Sequence, residues 1–169
     1  MSESGTQGRK MNLAQIRAFL EDHFPQIGPG NDLIVEAVGS MTARLRLAQQ
    51  EKHLRPGGTI SGPSMFALAD VAIYIAILGE IGVGDDPAKV PMSPGARTVT
   101  TNININFLRR PIARDLIADA KLMRVGRRLA VGEAWLHSEG SDEPVAHAVG
   151  TYAIPAEISA DVPFMIALH

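Results

Sequence analysis

The stretch that most restricts how this chain can fold is GPSMFALADVAIYIAIL, residues 62 to 78, whose apolar side chains would wrap nearly all the way round a helix and which carries one charge, Asp70. A surface helix shows an apolar stripe, whereas a helix apolar all round has to be enclosed. The apolar run Met65 to Leu78 is 14 residues long and contains a carboxylate, which is shorter and more polar than a membrane span requires. The enclosure must therefore come from the rest of the chain. Ser61 is placed to cap the helix, and Pro63 suits a first turn, where its missing N–H breaks no intrahelical bond. The helix is expected to end at or near Gly79.

Strands are the natural enclosure, and the segments after residue 97 read as strands. The run RTVTTNININF alternates, with Val99, Ile103, Ile105 and Phe107 on one face and Thr98, Thr100, Asn102, Asn104 and Asn106 on the other. DLIADAKLMRV, LAVGEAWLHS and PVAHAVGTYAI follow, separated by short turns, which predicts an antiparallel meander. Gly132 and Ala134 share one parity on their strand, as do Ala146, Ala148 and Gly150 on theirs. Such small residues either let a helix approach closely or reflect ordinary alanine usage. Upstream, Leu13, Ile16, Phe19 and Leu20 predict a surface helix that stops before Pro25. DLIVEAVG and MTARLRLA predict a hairpin around Gly39 and Ser40, and residues 51 to 63 a loop. Residues 1 to 10 read as a loose tail and residues 11 to 169 as one domain, with its core at about 32 to 155; no internal repeat marks a second domain.

Composition closes off several chemistries. A net charge of -2 does not favour nucleic acid, and the absence of cysteine removes disulfides, thiolate metal sites and a cysteine nucleophile together. No G-x-S-x-G elbow occurs, and His23 and His53 lack the spacing of a metal site, so no metal is expected. His137 and His147 sit within strand patterns and read as structural or interface residues. The N-terminus has no apolar run of a signal peptide, and a cytoplasmic setting is the expectation.

Asp70 remains the anomaly. A carboxylate in such a helix must be hydrogen-bonded, partly hydrated at a cleft, or protonated. Each state fits a general base or nucleophile, and a purely structural carboxylate fits equally well. The helix start offers the backbone N–H groups of Gly62, Ser64 and Met65 to polarise a carbonyl. Asp70 stands eight residues beyond Gly62, roughly 12 Å along the axis at about 1.5 Å per residue. One carbonyl cannot easily touch both groups of one chain, so a shared site would pair the helix start of one subunit with Asp70 of another.

HLRPGGTISGPSMFALADVAIYIA followed by TVTTNININFLRRP resembles the hotdog-fold acyl-CoA thioesterases of the phenylacetate-degradation type, over roughly Asp32 to Ile154. That resemblance implies an α+β hotdog fold, an antiparallel sheet wrapped around the long central helix, acting as a homodimer or homotetramer. It implies hydrolysis of acyl-coenzyme A with no separate cofactor, coenzyme A being part of the substrate. The family's catalytic carboxylate falls on Asp70, the carbonyl-binding glycine on Gly62, and a water-placing hydroxyl on Thr100. An Asn common in the family's preceding loop falls near Arg55, with His53 the alternative; Ser61 and Pro63 stand where members often carry His and Gly. These departures keep open a non-catalytic acyl-CoA binding protein as the alternative function. A hotdog hydratase would carry a His where this chain has Ile75. For the coenzyme A phosphates the candidates are Arg109, Arg110, Arg124, Arg127 and Arg128, since a guanidinium presents paired donors in one plane; strand-end arginines are also commonly just solvated.

Overall fold

The computed structural model describes residues 10–28 and 30–157. In chain order its main elements are α1 (Leu13–His23), β1 (Leu33–Gly39), β2 (Thr42–Leu47), β3 (Leu54–Arg55), β4 (Thr59–Ile60), α2 (Gly62–Ile81), β5 (Val99–Phe107), β6 (Leu116–Val125), β7 (Leu129–Ser138) and β8 (Pro144–Ala153). Six strands form one antiparallel sheet in the order β1-β2-β6-β7-β8-β5, and β3 and β4 pair separately. The expected tail lies outside the described residues except for Lys10, which pairs with Glu80.

The helix α2 lies against one face of this sheet. Leu68, Ala72, Ile73, Ile75, Ala76, Ile77 and Leu78 are fully enclosed, and burying each Leu or Ile contributes about 1.5–3 kcal/mol. At 20 residues α2 is long and apolar enough to cross a membrane by length and composition, so the expectation from the shorter run understated its length. What accounts for its apolar surface is the sheet around it. The helix also continues past its expected end. Gly79 is a point of close approach, where a Cβ would stand 2.6 Å from Val38 Cγ1, and the terminating residue is Gly82, at φ 66°. Both positions need glycine, but the helix stops at Gly82, where φ turns positive.

The small strand residues serve that contact. A Cβ on Gly132 would lie 2.9 Å from Ile73 Cγ2, and one on Gly150 would lie 3.3 Å from Ile73 Cδ1. Ala134, Ala146 and Ala148 share this buried face. Of the two readings of the alternating small residues, close helix approach is the one realised.

Helix α1 begins with a reciprocal capping box between Asn12 and Gln15 and ends at Phe24, ahead of a single 3-10 turn at Pro25–Ile27. The β1–β2 hairpin turns at Ser40 and Met41, and Met41 adopts φ 60° instead of extending the strand. The loop expected over 51 to 63 holds a 3-10 turn, Glu51–His53, and the short β3–β4 hairpin.

Strand β5 departs from strict alternation. Its pairing with β8 shifts between Thr100 and Asn102, leaving Thr101 as a bulge. A bulge adds one residue and flips the parity behind it. Thr100, opposite buried Tyr152, therefore faces the helix together with Ile103, Ile105 and Phe107, which oppose Gly150, Ala148 and Ala146. Val99 falls on the other face and is exposed, so the expected grouping of Val99 with Ile103 does not hold. β5 is also an edge strand.

Candidate active site

Asp70 sits in the middle of α2, half-buried, with its carboxylate met by two hydroxyls. The Thr100 hydroxyl donates to Oδ1 at 2.7 Å, and the Tyr152 hydroxyl lies 2.8 Å from Oδ1 and 2.9 Å from the Asp70 carbonyl oxygen. Hydrogen bonds to a charged acceptor contribute about 1.5–3 kcal/mol each, enough to offset much of the desolvation of a half-buried carboxylate. Burial, followed by the charge of Asp70, pushes the Tyr152 phenol well above its ordinary range, so it stays a neutral donor. Sequence reasoning named Asp70 and Thr100 and missed Tyr152. Its signal was present: Tyr152 shares the parity of Ala146, Ala148 and Gly150, the face turned to the helix.

Beside Asp70 a cavity of about 540 Å³ opens between α1, α2 and the start of β5. Phe19, Phe24, Val71 and Tyr74 give it an apolar, aromatic wall, and His23 lies at its rim. Burial raises the Tyr74 phenol to about 12, so it too is neutral at physiological pH. The contribution of α1 was not foreseen, because its Phe19 read simply as part of an apolar stripe.

Gly62 lies at the other end of the arrangement, beneath the Phe107 ring, 3.3 Å from where a Cβ would stand. Only one of the expected donors there is available. The Ser64 N–H is taken by Ser61 Oγ at 3.4 Å, the Met65 N–H by the Ser61 carbonyl at 3.1 Å, and Pro63 has none. Among the described residues no group accepts from the Gly62 N–H. Ser61 is thus occupied as the N-cap, with its hydroxyl also 2.9 Å from that of Ser64.

In the loop before Gly62, His53 is buried and both ring nitrogens are engaged, Nδ1 by the Gln50 N–H and Nε2 by Asp32. Arg55 is exposed on the small hairpin, whose tip is tied down by Arg110 donating to the Gly57 carbonyl at 2.7 Å. Arg109 pairs with Glu143 at 2.6 Å. Arg124, Arg127 and Arg128 are exposed around the β6–β7 turn. That turn is at the Thr100 end of β5, whereas Arg109 and Arg110 follow Phe107 at the opposite end. A single chain therefore separates the arginines into two groups. His137 and His147 lie on the other face of the sheet, bound to Asp119 at 3.2 Å and Glu133 at 2.8 Å. Among the described residues no cluster of three His, Asp or Glu side chains could hold a metal ion.

A long helix enclosed by a six-stranded antiparallel sheet is the hotdog fold. Residues 57–145 match the family model of the thioesterase superfamily, and the chain belongs to that superfamily as a thioester hydrolase. A candidate esterase of Halobacterium salinarum is 30% identical over 123 residues, covering 71% of this chain and 74% of that protein. The crystal structure of a candidate thioesterase from Silicibacter sp. TM1040 is 41% identical, covers 90% of this chain and 97% of that one, and superposes with a TM-score of 0.73. The PaaI protein of the Escherichia coli phenylacetic acid degradation operon shares the fold, with a TM-score of 0.66 at 18% identity over 83% of this chain and 90% of that one.

Proposed function

We propose that the protein hydrolyses acyl-coenzyme A in a composite site built between two copies of the chain. The observation that carries this reading is the placement of the two half-sites along one sheet edge. Asp70, bonded to Thr100, lies by the start of β5 and Gly62, beneath the Phe107 ring, by its end, roughly 12 Å apart along the helix. An edge strand offers an unpaired row of N–H and C=O groups. Two β5 strands pairing antiparallel about a two-fold axis near Ile103 and Asn104 bring Asp70 of one copy to Gly62 of the other. The same rotation brings Arg127 and Arg128 of one copy to the end carrying Arg55, Arg109 and Arg110 of the second, a cationic rim suited to phosphates.

In this arrangement the thioester carbonyl oxygen accepts from the Gly62 N–H. Asp70 takes a proton from water as the water oxygen attacks the carbonyl carbon, and Thr100, donating to Asp70, leaves its oxygen lone pairs to orient that water. The tetrahedral intermediate breaks its C–S bond; the sulfur leaves with the electron pair and takes the proton from Asp70. The acyl group occupies the cavity walled by Phe19, Phe24 and Tyr74. Thiol release from a panel of acyl-CoA thioesters is the direct test, and turnover is expected. Thermal stabilisation by acyl-CoA without thiol release would replace this reading with a binding protein.

A further inference from the structure

Resting on the hydrolytic reading above, we propose that Tyr152 is a positioning residue for Asp70: by occupying Oδ1 together with Thr100, its hydroxyl leaves Oδ2 as the oxygen that meets water. Both protein donors converge on the same atom, at 2.7 Å from Thr100 and 2.8 Å from Tyr152. Tyr152 also lies 2.9 Å from the Asp70 backbone carbonyl, so its single O–H is shared between two oxygens of the same residue and ties the side chain to the helix that carries it. A carboxylate on two rotatable bonds otherwise presents either oxygen, and a base contributes only when held within hydrogen-bond reach of its proton.

Two features of the backbone and the burial of the ring serve this contact. The bulge at Thr101 turns Thr100 inward, directly across the ladder from Tyr152. Gly150 makes room for the ring: a Cβ there would lie 2.8 Å from Tyr152 Cε2, a separation side chains do not tolerate. Tyr152 itself is fully buried, so the surrounding core holds its ring in this position. The phenol remains protonated across the working pH range because burial beside a carboxylate disfavours its anion. Packing alone accounts for the buried ring, but not for a hydroxyl placed 2.8 Å from the Asp70 carboxylate.

The test is a double-mutant cycle on the full chain, with steady-state thiol release from acyl-CoA as the readout, for wild type, Tyr152→Phe, Asp70→Asn and the double variant. Tyr152→Phe is expected to lower kcat by about tenfold or more with KM changed by less than about twofold, and to add almost nothing in the Asp70→Asn background, because groups acting as one unit are non-additive. Gly150→Ala, which displaces the ring while retaining the hydroxyl, is expected to show the same kcat-selective loss and the same dependence on Asp70. A folded Tyr152→Phe with wild-type kcat overturns the role, as does an equal loss in both backgrounds. If Tyr152→Phe does not fold, Gly150→Ala decides by the same criteria. A wild type without turnover instead overturns the hydrolytic reading, and the positioning role falls with it.

Discussion

Asp70 stands out at the residue scale because its neighbours are chosen to keep it as a hydrogen-bonded carboxylate and not to neutralise it with a cation. Its contacts are hydroxyls, from Thr100 and Tyr152, and no arginine or lysine pairs with it among the described residues. Neutral donors orient a carboxylate through hydrogen bonds without the charge pairing of an ion pair. Asp70→Asn is therefore expected to lower thioester turnover by about a hundredfold or more while the fold persists, the scale for losing a positioned base. Thr100→Val is expected to cost less, since it removes an orienting hydroxyl and keeps the base. Rate measurements beside circular dichroism and sedimentation check both; a folded, fully active Asp70→Asn would remove the carboxylate from the mechanism.

Among the elements, α2 and the strands it touches are matched by volume. The helix presents Ile73 where the sheet presents Gly132 and Gly150, so that bulk on one layer meets its absence on the other. Filling that space is expected to be costly. Gly132→Val would drive a side chain into Ile73 and Leu122, each within 3.0 Å of the first added carbon. Overpacking of this kind destabilises by about 1–3 kcal/mol, or a fall in Tm of about 2–4 °C for each kcal/mol in a chain of this length. Differential scanning fluorimetry would measure it; an unchanged Tm would mean that the layers are less tightly fitted than their geometry indicates.

For the whole molecule the question is what covers β5. Its inner residues are only partly buried, Phe107 is 52% exposed, and the two halves of the candidate site lie at its two ends. Asn104→Lys places like charges opposite each other close to the proposed two-fold axis, an arrangement that destabilises strand pairing. The expected outcome in sedimentation is a shift toward monomer, accompanied by loss of turnover although Asp70 and Gly62 are untouched. A variant that is monomeric and retains full activity would show that one chain suffices.

Residue order alone determined that one helix must be enclosed, that strands of period two would enclose it, and that Asp70 was the charge in need of an explanation. Those conclusions follow from local periodicity and from the cost of burying a carboxylate, both of which are written in sequence. Resemblance to a known family then placed Gly62 and Thr100. The details that turn those residues into a site were decided by tertiary contact. Alternation put Thr100 on the polar side of its strand, and a bulge set by pairing with β8 turned it inward. The donors offered by the helix start narrowed to the Gly62 N–H once Ser61 folded back as a cap. Tyr152 lies 82 residues from Asp70, and only the register of the last strand against the central helix brings them together. Periodicity reports which face a side chain takes, but the residue it meets across the core depends on how far each strand slides along its neighbour, and that is settled by the packing of the whole chain.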